Sequence, residues 1–187
     1  MSANLIILLF ASWLVPTALV DPAQSGSPDA PGCGLATVMF AVQTDRNQHA
    51  VPNPEPAKAL LVFLQDDARF GARPRPTTRF GVDGAWAGAT HANSYFYVPI
   101  EPGEHHLCAS WQFSVPPNPR LDPRPRSTAA AHFTAEAGKI YYFRARDVLI
   151  LESAGSTGPD VELEGLDSDE ALILLRSFAF SSSHAKN

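Results

Sequence analysis

The sequence predicts an all-β domain of short strands followed by one short C-terminal helix. Three observations carry this expectation. Seventeen prolines and twelve glycines interrupt the chain at short intervals, which suits brief strands and turns better than long helices. Between these breaks the segments are rich in β-branched and aromatic residues, as strands are. The one stretch with helical character, DSDEALILLRSFAF from Asp167, lies near the C-terminus. At 187 residues and 45% hydrophobic content, the chain suits a single domain with its own core. Fourteen basic against nineteen acidic residues give a net charge of −5, which argues against nucleic acid or an anionic membrane surface as the main partner.

The N-terminus, MSANLIILLFASWLVPTALVDPAQ, has an apolar run from Leu5 to Val15, a break at Pro16 and small residues up to Ala18. This is the pattern of an export signal, and the run is shorter than the roughly 20 apolar residues of a membrane-spanning helix. It departs from the usual pattern in having no Lys or Arg before the apolar run. The expected organisation is a signal peptide at 1–18, a flexible leader tail at 19–32, one domain at 33–180 and a disordered tail at 181–187. The alternative for the first segment is a retained anchor. Export implies a periplasmic or extracellular protein with no integral membrane span after cleavage. Cys33 and Cys108 are the two cysteines of the whole chain, and in an oxidising compartment they are expected to pair. By chain-entropy reasoning such a bridge stabilises by about 4 kcal/mol, less any strain. Two buried free thiols are the competing reading.

Taken in order, Leu35–Thr44 (LATVMFAVQT) reads as a first strand, and a polar stretch leads to ALLVFLQ at Ala59–Gln65. That near-continuous apolar run fits a strand that is central or buried on both faces. From Thr77 the pattern reads as a meander with reversals at Asp83-Gly84, at Ala92–Ser94 and at Pro102-Gly103, dipeptides whose backbone freedom suits tight turns. The last reversal would pair Val98 with Leu107 and Tyr97 with Cys108 in a hairpin. Alternation along the following strand puts His105 and His106 on opposite faces, so a regular strand cannot direct both at one metal. VPPNPRLDPRPR, with its closely spaced prolines and arginines, reads as an extended exposed loop. A further strand, a turn at Ala137-Gly138, a strand from Lys139 and the segment VELEGL follow. Asp167 reads as a helix N-cap, with Glu170 three residues on as in a capping box.

DGAWAG, SYFYVPIEPGEH and FTAEAGKIYYFRAR, in this order between Ala59 and Arg146, resemble a family of exported bacterial proteins grouped as a domain of unknown function. In that family a D-G turn, a P-G-x-H step and an A-G-K-x-Y-Y strand opening recur. Here they fall on Asp83-Gly84, on Pro102-Gly103-Glu104-His105 and on Ala137-Gly138-Lys139-Ile140-Tyr141-Tyr142. The resemblance implies a transthyretin-like or carboxypeptidase-regulatory-like β-sandwich, which here means about seven to nine short strands. It carries over no activity, cofactor or catalytic residue.

Enzyme readings lack a motif, since the chain has no GxSxG, HExxH, phosphate loop or GxGxxG. The acids of ELEGLDSDE, Glu162–Glu170, suit a helix N-terminus better than a calcium loop. His91 and His132 stand isolated in the sequence. The aromatics Trp86, Tyr95, Tyr97 and Trp111, with Tyr141 and Tyr142, are core residues or, if one sheet exposes them, stacking surfaces for a sugar or peptide. The loops RFGARPRP and PRLDPRPR are solvated connections or contacts for an anionic partner. The functional expectation is a non-enzymatic exported binding or accessory domain of the bacterial envelope, with an unknown protein or glycan partner and no cofactor. The alternatives are a carbohydrate- or peptide-binding module that uses an aromatic sheet face and, behind it, a hydrolase or metal-dependent enzyme.

Overall fold

The computed structural model describes residues 32–47, 50–68, 75–112, 128–151 and 157–186. The predicted signal peptide, nearly all of the leader tail and most of both Arg-Pro loops lie outside the described residues. The elements in chain order are β1 (Phe40–Asp45), β2 (Ala59–Asp66), β3 (Thr77–Val82), β4 (Ala85–His91), β5 (Ser94–Ile100), β6 (Gly103–Gln112), β7 (Thr128–Ala135), β8 (Ile140–Leu151), β9 (Thr157–Leu166), α1 (Ser168–Leu175) and β10 (Ala179–Ala185). They form an all-β sandwich of ten strands in two sheets, more strands than expected. The larger sheet has the order β1-β10-β5-β2-β8-β9, the smaller β4-β3-β6-β7.

β2 is central in the larger sheet, antiparallel to β5 and parallel to β8. Its seven residues Ala59–Gln65 are all buried, which explains the unbroken apolar run. Leu61 and Phe63 face the smaller sheet and pack with Phe80, Phe96, Leu107 and Trp111. Leu60, Val62 and Leu64 face outward, where Ala171 and Leu175 of α1 cover them with Phe178 and Tyr142. The molecule is thus layered helix on sheet on sheet. The Phe63, Phe80 and Phe96 rings form the centre of the inter-sheet core, with centroids 4.7 to 5.7 Å apart, the spacing of favourable tilted aromatic pairs.

Asp83 and Gly84 both take positive φ, 51° and 84°, and make the tight β3–β4 hairpin expected of them. The other two reversals differ from expectation. β5 belongs to the larger sheet and β6 to the smaller, so Pro102-Gly103 is a corner between sheets, and the Val98–Leu107 and Tyr97–Cys108 pairings do not form. Val98 instead faces Leu61 of β2, and Leu107 faces Val82 of β3. Ala92-Asn93 makes a similar corner between β4 and β5. Such corners are how a sandwich moves the chain between layers.

The expected tail at 181–187 is also corrected, because Ala179–Ala185 is strand β10, inserted between β1 and β5. Its serines reach the other sheet. Ser183 Oγ accepts from Ala89 N–H at 3.0 Å and Ser181 Oγ donates to Ala89 C=O at 3.3 Å, satisfying both backbone groups at the open edge of β4. The first strand begins at Phe40 rather than Leu35. Residues 32–38 form a strap across the outer face of the smaller sheet. Cys33 is bridged to Cys108, with Cα atoms 5.1 Å apart across a separation of 75 residues. The strap lies so close to β3 that a Cβ at Gly81 would meet the carbonyl oxygen of Gly32.

Asp167 caps α1 by accepting from Glu170 N–H at 2.8 Å. The reciprocal half of the capping box does not form. Glu170 pairs instead with Arg144 at 2.6 Å, and Arg144 also binds Glu164 at 2.6 Å, so these acids fasten the helix to β8 and β9.

Candidate functional site

The interior rows of the sandwich turn from apolar to polar at one end. On β2 the inward series Ala59, Leu61, Phe63 continues into Gln65 and then Asp67. On β8 it runs through Phe143 and Ala145 to Asp147. Gln65, Asp67 and Asp147 are 0%, 0% and 1% exposed, and β4 and β6 add Thr90 and Trp111. Thr90 Oγ1 donates to Gln65 Oε1 at 2.8 Å, and Gln65 Nε2 donates to Asp67 Oδ1 at 2.9 Å and to the Pro76 carbonyl at 3.1 Å. Trp111 Nε1 donates to Asp147 Oδ1 at 2.7 Å.

No described cation pairs with either carboxyl. Burial first, then the neighbouring Asp67 carboxyl, push the Asp147 pKa up to about 8, against the stabilising bonds from Trp111 and Gln65. At neutral pH the two carboxyls therefore hold a proton between them. Asp67 Oδ2 has no hydrogen-bond partner among the described residues. The pair resembles an acid dyad in chemistry, and both carboxyls are buried at this end of the core.

Directly above it the surface opens into a cleft of about 410 Å³ lined by Thr44, Arg46, Arg75, His91, Asn93 and Arg176 among others. Asn93 joins the two levels, because its Oδ1 accepts from Asp67 N–H at 2.8 Å and its carbonyl accepts from Ala179 N–H at 3.1 Å. Arg46 follows β1, Arg75 precedes β3 and Arg176 is the C-cap of α1. The topology brings these three distant guanidiniums to one opening. None forms an ion pair with a described carboxylate. In a chain of net charge −5 this is a local basic concavity, and planar guanidiniums suit carboxylate, phosphate or sulfate oxygens.

The predicted aromatic residues do not form an exposed face. Tyr95 is fully buried and Trp111 is 5% exposed, so neither is open to a ligand. Tyr97 is half-buried against Phe180. Trp86 is half-buried, with its Nε1 donating to Leu35 C=O at 2.8 Å and the Arg79 guanidinium 4.4 Å from its ring centre. His105 is held between Asp83 Oδ2 at 2.7 Å and Glu101 C=O at 2.8 Å. His91 lines the cleft, and His132 stands on the outer face of β7. Of the Arg-Pro loops only Arg75 and Pro76 are described, and both belong to this end of the molecule. Sequence reading missed Asp67, Asp147, Arg46 and Arg176, whose one local signal was an acidic residue within an otherwise apolar strand at Asp147.

No protein-family model, curated protein or solved structure matches the chain.

Proposed function

We propose that this protein is a non-enzymatic binding domain, exported to the bacterial envelope or beyond, that captures an anionic group of a protein or glycan partner in the cleft between Arg46, Arg75 and Arg176. One observation carries the reading: three guanidiniums, none ion-paired with a described carboxylate, converge on one polar cleft in an acidic protein. The apolar N-terminal run and the Cys33–Cys108 disulfide support export, since such bridges persist in oxidising compartments. Among the described residues no helix is long and apolar enough to cross a membrane. The transthyretin-like family assignment is part of this proposal and rests on the sequence motifs together with the two-sheet architecture.

The test is an NMR titration of the full domain with inorganic phosphate at low ionic strength. The expected result is saturable shifts at Thr44, His91, Asn93 and Ser177, weakened by salt and lost in an Arg75→Gln, Arg176→Gln double variant. Absence of saturable shifts, or shifts that persist in that variant, would remove the cleft as a binding site.

A further inference from the structure

His106 on β6 and His132 on β7 are directly opposed in the antiparallel register of the smaller sheet. The backbone of His106 faces the other way. Its N–H donates to Asp83 Oδ1 at 2.8 Å and its C=O accepts from Asp83 N–H at 2.9 Å. A strand residue whose backbone groups point toward one neighbour makes a non-hydrogen-bonded pair with the other. In that pair type the Cα atoms are about 4.5 Å apart and the side chains stand closest.

Alternation sends Leu107 into the core and Phe133 toward it, so both histidines project from the outer face, and both are exposed. They border a small cleft of about 130 Å³ with Gly32 and Ala130 among others, and Ala130 shares their outer face. Neither imidazole has a hydrogen bond or ion pair with a described residue. His105 is different, because both of its ring nitrogens are occupied by Asp83 and Glu101. Glu104 is exposed on the same outer face, two residues before His106, and adds negative charge beside the pair.

We propose that His106 and His132 form a two-imidazole binding site for a divalent transition-metal ion. Neutral imidazole is a borderline ligand suited to copper, nickel and zinc, and the usual affinity order places Cu²⁺ ahead of Ni²⁺ and Zn²⁺. Two protein ligands leave the remaining coordination positions to water or to a donor from another molecule. The site is therefore more exchangeable than a closed structural zinc centre. It is independent of the anion cleft, which lies at the other side of the hairpin system and shares no residue with it.

The experiment is a titration of the full chain with Cu²⁺, followed by electron paramagnetic resonance and by NMR line broadening with sub-stoichiometric metal. The expected result is a saturable site with imidazole nitrogen coupling, broadening centred on His106 and His132, and competition by Zn²⁺. His106→Gln and His132→Gln should each abolish this signal. Both side chains are exposed, so circular dichroism of the variants should match the parent. His184→Asn, on β10, should bind as the parent does. Binding that survives in the His106→Gln, His132→Gln double variant, or broadening centred elsewhere, overturns the proposal, as does the absence of saturable binding.

Discussion

Trp86 donates its indole N–H to the carbonyl oxygen of Leu35 at 2.8 Å, and this bond holds down the segment that carries Cys33. Arg79 completes the fastening through Ala36 C=O at 3.0 Å and Val38 C=O at 2.7 Å while its guanidinium lies over the indole ring. The strap thus rests on a covalent bridge, a cation–π contact and carbonyl hydrogen bonds.

The disulfide should dominate that fastening. Cys33→Ser, Cys108→Ser should cost about 4 kcal/mol, because the bridge restrains a long loop of the unfolded chain. Trp86→Phe keeps the ring and removes the donor, for a loss of about 1 kcal/mol. Urea unfolding, with intact mass under non-reducing conditions to verify the bridge, measures both. An unchanged midpoint in the serine variant would contradict the stabilising role.

The Asp67–Asp147 pair predicts an unusual pH dependence. Asp147 has its folded pKa raised from 3.8 to about 8, so the native state keeps a proton that the unfolded chain releases. Its contribution is fully present below pH 3.8 and declines progressively as pH rises to about 8. Asp147→Asn should remove this decline. The amide oxygen can still accept from Trp111, and the amide N–H₂ can donate to Asp67 without a titrating proton, with the loss only of the long 3.4 Å bond from Gln65. The variant should therefore be more stable than the parent at pH 8 in urea unfolding, and a loss of stability there would show that the pair is not proton-sharing.

His105 and Asp83 add a second, smaller titration. Burial disfavours the charged imidazole, but hydrogen bonds to Asp83 and Glu101 and the Asp83 charge outweigh it and raise the His105 pKa above 6.5. Burial opposes the Asp83 carboxylate too, yet bonds from His106 N–H and His105 and their charges hold its pKa below 3.8. The His105 contribution is complete below pH 6.5 and is lost as pH rises through its raised value. The Asp83 contribution is present above pH 3.8 and is lost as pH falls through its lowered value. An NMR titration of His105 should find its midpoint above 6.5, and Asp83→Asn should bring it down. A midpoint that does not move would mean that Asp83 is not the controlling charge.

Much of the layer structure was readable because local chemistry specified it. The apolar run of β2, the Asp83-Gly84 turn, the Asp167 cap and the single pair of cysteines each constrain structure within a few residues or by elimination. Pro102-Gly103 shows the limit. Its residues demand a reversal, but whether β6 returns beside β5 or crosses to the other sheet depends on β2 pairing with β5 and β3 with β6. The aromatic residues were ambiguous for a related reason. The larger sheet is covered on both sides, so alternation along β5 does not separate core from surface. The sites were hardest to see, since Arg46, Arg75 and Arg176, or His106 and His132, become neighbours only once the topology is known.

The C-terminal strand offers the sharpest test of that topology. A chain ending at residue 180 would lose nearly all of β10, which pairs with β1 over Phe40–Asp45 and joins β5 at Ala179 and Phe180. β1 would then have no partner in its sheet, and the Ala89 N–H and C=O of β4 would lose Ser183 and Ser181. Each buried backbone group left unpaired costs about 1 to 3 kcal/mol, and a newly opened edge invites pairing between chains. The truncated protein should therefore unfold at lower urea and aggregate, whereas Ser181→Ala, Ser183→Ala in the full chain should be milder and keep the parent's light-scattering size. Unfolding midpoints with light scattering decide the matter. A truncated chain as stable and monodisperse as the parent would mean that β10 is not a structural member of the sheet.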